Sequence, residues 1–287
     1  MDSSAAQDPF QQVYAHMAAK ARADVLRKPH DTETWRYERR PPLRFRASEA
    51  GSCPRRLWYR LMGYVPTPDD PGLVWKQADG NIGQDMIRTM MKEAGVGLGG
   101  IEFQPDGTQK ETLDTRRKFA VGDTEVEVSA RADGSLETPR GPALFEFKTM
   151  AFYPSDWLEK TFAKEGEDGV IDRLKKKHPY YVAQMQMTMA IFDYDLTYFG
   201  HKNKSAGSHG FRAENDERCG VYLERDQQVI DGILATFAEV QEQVHAGTPP
   251  RFSHPKVPLD GSGECGFCAF HYQCYGAQSK GAVIYPE

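Results

Sequence analysis

The chain has 287 residues and is 39% hydrophobic and 27% charged, with 36 Lys and Arg against 41 Asp and Glu for a net charge of −5. That balance suits a folded globular chain and excludes a disordered one, while five cysteines are too few for a disulfide scaffold. No apolar run approaches the roughly 20 residues that span a bilayer, and "MDSSAAQDPFQQ" lacks the build of a signal peptide, so a cytoplasmic, reducing setting is expected.

Phe10, Val13, Met17, Ala21 and Val25 recur at helical spacing and predict an amphipathic helix from Pro9 to about Lys28. Residues 29 to 47, rich in Pro and Arg, read as a connecting arm. Ser48 caps a second predicted helix, whose buried stripe is Leu57, Trp58 and Leu61. Thr67 to Gly72 is a loop, and Val74 to Ala94 reads as a third helix ended by Gly95. Strand patterns follow: "IEFQ", then "KFAVGDTEVEVSARAD" with Gly122-Asp123 as a hairpin turn, then "ALFEFKT" from Ala143. Lys160 to Lys177 is a charged, Gly-broken stretch. "HPYYVAQMQMTMAIFDYD" is helical, "LTYFGHK" and "CGVYLER" are strands, and Asp226 to Val244 is a long amphipathic helix. The expected fold class is α/β, a mixed central sheet flanked by helices. The expected division is an N-terminal helix and arm (1–47), a core (48–250) and a cysteine-rich C-terminal segment (251–287).

The basic residues are clumped at Arg36, Arg39, Arg40, Arg44 and Arg46, at Arg55 and Arg56, at Arg116, Arg117 and Lys118, and at Lys175, Lys176 and Lys177. An acidic body can still carry a basic groove, so the net charge does not decide against a nucleic-acid partner.

The chemistry concentrates in "SARADGSLETPRGPALFEFKTM". Strand alternation puts Glu146 and Lys148 on one face and Phe145 and Phe147 on the other. Antiparallel pairing would set Asp133 beside Glu146, and two carboxylates at one edge suit a hard divalent cation such as Mg²⁺ or Mn²⁺. A lysine beside them can position or deprotonate a metal-bound water, as phosphodiester hydrolysis requires.

This segment resembles the D-(x)n-(D/E)-x-K core of the PD-(D/E)xK nuclease superfamily, in particular its RecB-like branch, whose fold is restriction-endonuclease-like. The resemblance implies that Asp133 and Glu146 bind the metal, the Phe147 carbonyl adds a ligand, Lys148 orients or activates the water, and Gln184 helps position it. The following helix, "YYVAQMQMTMAIF", puts Gln184 at that branch's glutamine, with Gln186 as the near alternative. A further acidic or His residue is usual on the preceding helix. Here the pattern counted from Gly80 reaches Gln84, a neutral amide and poor ligand, so either Asp85 next to it takes the metal-ligand role with a small shift of the helix or the metal is held by fewer charges.

"ECGFCAFHYQC" holds Cys265, Cys268 and Cys274, which leaves a tetrahedral site one ligand short. Cys219, within a strand pattern, reads as a small buried hydrophobe. Cys53 lies in "ASEAGSCPRRLWYRLMGY", which resembles the N-terminal segment of Cas4 and of AddB-type nuclease domains. In those families one cysteine before the core joins three after it, spaced C-x2-C-x5-C, around a [4Fe–4S] cluster. That implies Cys53, Cys265, Cys268 and Cys274 as cluster ligands; Zn²⁺ with His271 as the fourth ligand is the alternative. The resemblance implies an Mg/Mn-dependent DNA exonuclease acting on ends or single strands. Its setting would be phage-type recombination or repair, or CRISPR adaptation with a partner protein. Arg55 and Arg56 are then candidates for DNA phosphates. A non-catalytic DNA-end-binding or scaffold protein that kept the fold and cluster is the rival.

Overall fold

The structure is a computed structural model that describes residues 43–64, 71–105, 108–203, 211–213, 216–218, 220–251, 265 and 268–275. The helix expected between Pro9 and Lys28, and Cys219, lie outside the described residues. The chain forms two compact units. Of the described residues, one contains Arg44–Ser52 and those of Asp79–Glu239, and the other contains those of Cys53–Ala78 and those from Val240 onward.

In the larger unit, a five-stranded sheet is built from β2 (Leu98–Gly99), β7 (Gly134–Thr138), β8 (Gly141–Met150), β9 (Leu196–Asn203) and β12 (Gly220–Glu224). Their order is β12-β9-β8-β7-β2; β8 and β9 run parallel and the other pairs antiparallel, so the sheet is mixed. A second sheet sets β6 (Thr124–Arg131) between β1 (Arg44–Arg46), which is parallel to it, and β5 (Asp114–Val121), which is antiparallel. Gly122 turns the β5–β6 hairpin at φ 57°, a backbone region that glycine enters without steric cost. Two short hairpins, β3 (Ile101–Phe103) with β4 (Gln109–Glu111) and β10 (Phe211–Ala213) with β11 (Asp216–Arg218), complete the strands described. The architecture is mixed α/β.

Alternation along β8 decides which helix covers which face. Phe145 and Phe147 pack with Leu136, Ile87, Met91, Leu98 and Tyr198, so α2 (Pro71–Glu93) covers that side. Leu144 and Met150 point the other way, into a core closed by Leu158, Phe162, Val170 and Leu174 of α3 (Phe152–Lys177) and by Val182, Met185 and Met189 of α4 (Pro179–Phe192). Each such burial is worth about 1.5–3 kcal/mol before entropy is counted. This stripe also corrects the reading of Lys160 to Lys177. The charged stretch is helical on both sides of Gly166, because Leu158 and Phe162 before it and Val170 and Leu174 after it are each spaced for a buried face, while Gly166 at φ 69° leaves the helical region and breaks the run there as its glycine suggested. The helix expected after Ser48 starts later, at Pro54, with Ser48 in a 3₁₀ turn over Ala47–Glu49.

The smaller unit is ordered around α1 (Pro54–Leu61). Tyr59 stacks on Phe270 with centroids 5.9 Å apart, and its hydroxyl donates to the Gln273 carbonyl at 2.9 Å. Trp58 Nε1 donates to the Gln243 carbonyl at 3.2 Å, within α5 (Gln227–Ala246). Among the described residues no helix is long and apolar enough to cross a membrane.

Candidate active site

Four of the sequence-derived residues meet on the mixed sheet. Glu146 is buried at 3% exposure, and its Oε1 forms an ion pair with Lys148 Nζ. Gln184, reaching in from α4, donates from Nε2 to the same Oε1 at 3.1 Å, while its Oε1 accepts from Lys148 Nζ at 3.5 Å. The amide therefore satisfies the carboxylate with one end and the ammonium with the other. Gln186 faces elsewhere: it donates to the Glu224 carbonyl and accepts from the Asp226 amide, both at 2.8 Å. Of the two glutamines, Gln184 is the one within reach of the carboxylate.

Asp133 stands between β6 and β7. The β7–β8 register pairs Gly134 with Phe145, which brings the preceding aspartate alongside Glu146. Its Oδ2 accepts the Phe147 backbone N–H at 2.9 Å. Burial, and then the charge of Glu146, push the Asp133 carboxyl up to about 7, against the opposing influence of Lys148, the Phe147 amide and Arg88. Burial alone would lower Lys148, but the charges of Glu146 and Asp133 outweigh it and hold the ammonium above its ordinary range. Lys148 is thus a fixed cation in the metal-free protein, not a free base.

Two carboxylates this close resist joint ionisation, and a divalent cation removes the conflict. Among the described residues no three or more His, Cys, Asp or Glu side chains, the four cysteines included, are grouped as a ligand set for a metal. Magnesium, however, keeps several waters and commonly takes only one or two carboxylates. The donor set of Asp133 and Glu146 fits that pattern.

On α2, Gln84 is half-buried. The Asp85 side chain is 61% exposed, and its Oδ1 lies 3.6 Å from Arg88 Nη1. Arg88, which pattern reading missed, adjoins the candidate site. It is 2% exposed, donates from Nε to the Asp133 carbonyl at 3.0 Å, pairs with Glu111 at 2.8 Å and lies 3.6 Å from Asp133 Oδ1. An arginine buried among three acids is the residue type best suited to that geometry. The sequence offered no signal for it, since Gln84, Asp85 and Lys92 lie within a turn of it and make that helix face look solvated.

In the smaller unit, Cys53 caps α1, and Cys265, Cys268 and Cys274 surround a tight turn leading into α6 (His271–Tyr275). The Cys268 amide donates to the Cys265 carbonyl at 3.2 Å, and the His271 amide donates to the Cys268 carbonyl at 3.0 Å. All four thiols are free of disulfides. Burial raises Cys268 against the Phe270 backbone hydrogen bond and the charge of Arg56, and the nearby Cys53 and Cys274 add to the rise. A soft metal centre would relieve a thiol set of this kind by stabilising thiolates, so the donor chemistry fits. His271 Nδ1 lies 2.7 Å from the Cys265 carbonyl. Arg55 donates to the Pro250 carbonyl at 3.1 Å and to Tyr59 at 3.2 Å, whereas Arg56 is exposed.

The basic clumps separate into two kinds. Arg116 lies 3.7 Å from Glu127, Arg117 3.9 Å from Asp193, and Lys118 2.6 Å from Glu125, so that strand is charge-balanced. Lys175, Lys176 and Lys177 are exposed in the last turn of α3, with no ion pair among the described residues.

No protein-family model matches the chain, and no curated protein matches it. Among solved structures, it is similar to the protein SSO0001 at 14% identity, with 93% of this chain and 98% of that one covered and a TM-score of 0.46. It is similar to LHK-Exo, an alkaline exonuclease from Laribacter hongkongensis solved in complex with dAMP. The identity there is 18%, with 75% of this chain and 94% of that one covered and a TM-score of 0.42. A phage-related exonuclease from Haemophilus somnus 129PT aligns at 15% identity over 68% of this chain and 81% of that one, with a TM-score of 0.40.

Proposed function

We propose that the protein is a metal-dependent DNA nuclease of the PD-(D/E)xK superfamily, RecB-like branch, acting as an exonuclease on DNA ends or single strands. The observation that carries the proposal is the grouping of Glu146 and Lys148 on β8, Asp133 in the link between β6 and β7, and Gln184 on α4. Asp133 and Glu146 would hold Mg²⁺ or Mn²⁺, with the Phe147 carbonyl as a further donor. The ion would supply Lewis acidity and a water of lowered pKa when bound. Lys148 provides fixed positive charge toward the attacked phosphate and its developing negative oxygens. Gln184 keeps Lys148 and Glu146 in register and holds an amide where the attacking water must be oriented. Arg88 fixes the Asp133 end of the site.

The four cysteines support a [4Fe–4S] cluster of structural role, held by Cys53, Cys265, Cys268 and Cys274 in the smaller unit. Arg56 is exposed beside them and available to a DNA phosphate.

The deciding experiment incubates anaerobically purified protein with end-labelled single- and double-stranded DNA and Mn²⁺ or Mg²⁺. Cleavage should occur, and should collapse in Lys148→Ala while calorimetry still detects metal binding. Glu146→Gln should lose cleavage and weaken metal binding together. Wild-type protein that binds ends but never cuts with either metal would overturn the nuclease reading. The scaffold reading, which the amide at Gln84 and the outward Asp85 favour, would then stand.

A further inference from the structure

Beside Lys148 lies an aromatic cluster that the chemistry above does not use. Lys148 Nζ sits 5.4 Å from the Tyr181 ring centroid. Tyr181 stacks against His178 with centroids 5.4 Å apart and planes 22° apart, and meets Tyr180 at 4.4 Å. His178 Nδ1 lies 3.2 Å from the Tyr180 hydroxyl. Three rings thus brace one another at the N-terminal end of α4, yet Tyr180 remains 44% exposed. A tyrosine held by neighbours but open on one side is a preformed surface, and it adjoins the residue assigned to the phosphate.

The turn just before this cluster carries Lys175, Lys176 and Lys177, all exposed. A helix C-terminus favours cations, which accounts for their tolerance there. It does not account for the contrast with Arg116, Arg117 and Lys118, each of which has a carboxylate within ion-pair distance. A cationic run with no ion pair among the described residues, next to an exposed tyrosine, has the composition that binds single-stranded nucleic acid: phosphates on the cations, a base on the ring. Duplex bases are stacked inside their helix and cannot offer such a ring a face.

We propose that His178, Tyr180 and Tyr181, with Lys175–Lys177, form a subsite for an unpaired nucleotide next to the scissile phosphate, making single-stranded DNA the preferred substrate class. This inference rests on the nuclease reading for the position of the phosphate. Tyr180 provides the stacking face, His178 and Tyr181 hold it upright, and the lysines guide the strand toward Lys148.

The test is fluorescence anisotropy with the full chain in EDTA, where no cleavage can occur. The probes are a labelled deoxyadenylate 12-mer, the same oligomer with abasic terminal nucleotides, and a blunt duplex. Loss of one base–aromatic stack corresponds to a weakening of about ten-fold. Wild type should bind the abasic oligomer about ten-fold more weakly than the intact one, a comparison that needs no variant. Tyr180→Ala should show the same loss on the intact single strand and leave the duplex unchanged, whereas Tyr180→Phe, which keeps the ring, should match wild type. Equal binding of abasic and intact oligomers, or an equal loss on single strand and duplex in folded Tyr180→Ala, would overturn the subsite. Adding Mn²⁺ to wild type separates the two claims. Base discrimination without cleavage would reject the nuclease reading alone, and cleavage without discrimination would reject the subsite alone.

Discussion

Replacing Arg88 with methionine removes a buried charge while keeping most of the side-chain volume. The guanidinium serves the Asp133 carbonyl at 3.0 Å and Glu111 at 2.8 Å, and lies 3.6 Å from Asp133 Oδ1 and 3.6 Å from Asp85. Removing one partner of a buried ion pair costs about 3–5 kcal/mol, because the remaining charge stays desolvated. Two facts place Arg88→Met at the low end. Glu111 keeps Arg131 at 2.6 Å, and Asp133 keeps the Phe147 amide at 2.9 Å. We therefore expect a loss of about 3 kcal/mol, which for a unit of this size lowers the melting temperature by about 6–12 °C. Circular dichroism melts of wild type, Arg88→Met, Glu111→Gln and the double variant complete a thermodynamic cycle. The two positions should couple by at least about 1 kcal/mol. A melting temperature within a degree or so of wild type, or strictly additive effects, would refute the assignment of Arg88 as the electrostatic centre of this corner.

Asp133 supplies a pH dependence. A folded carboxyl holding its proton to about 7, against an ordinary 3.8, stabilises the native state at low pH and gives that up as pH rises through about 7. The ceiling is about 4 kcal/mol, at about 1.4 kcal/mol per pH unit. Metal-free protein should therefore melt lower at pH 8 than at pH 5.5, Mg²⁺ should recover more at pH 8, and Asp133→Asn should flatten the profile; melts across pH that run parallel for the two proteins would contradict this. Two glycines of α2 should respond oppositely. A Cβ on Gly83 would fall 2.5 Å from Thr149 Oγ1, so Gly83→Ala should destabilise by about 1–2 kcal/mol, while Gly80, with nothing within 4 Å, should gain up to about 1 kcal/mol as alanine, both read by urea titration. For the cysteines, anaerobic protein should be brown with iron near four per chain, and Cys53→Ala or Cys268→Ala should lower the melting temperature where Cys219→Ala does not. A colourless protein with one zinc would reject the cluster.

Local pattern carried much of the fold. The Gly122 hairpin and the shared face of Glu146 and Lys148 need only a two-residue period and a turn residue, and both are properties of short segments. The kinked α3 was harder, because charges and Gly166 obscure a four-residue stripe that only the sheet explains. Long-range pairings carried no local signal at all. Nothing in "RFR" announces that β1 runs parallel to β6, more than 80 residues later. Asp133 was read as a strand end and instead links β6 to β7, since Gly134 at φ 155° lets the chain continue into another strand. Arg88 was invisible for a related reason: its partners Glu111 and Asp133 lie 23 and 45 residues away.

The smaller unit is assembled from residues far apart in the chain, with Cys53 at the start of α1 and Cys274 near its other end. During synthesis, α1 emerges more than 200 residues before the segment that receives the Tyr59 hydroxyl and ring. Every carboxylate and the lysine of the candidate site are translated in that interval. Domains fold as they leave the ribosome, and contacts of large sequence separation close last. An interrupted nascent chain would thus carry the candidate-site residues while α1 still waited for its partner segment. The wide separation makes completion of the smaller unit a report that the whole candidate site has already been translated.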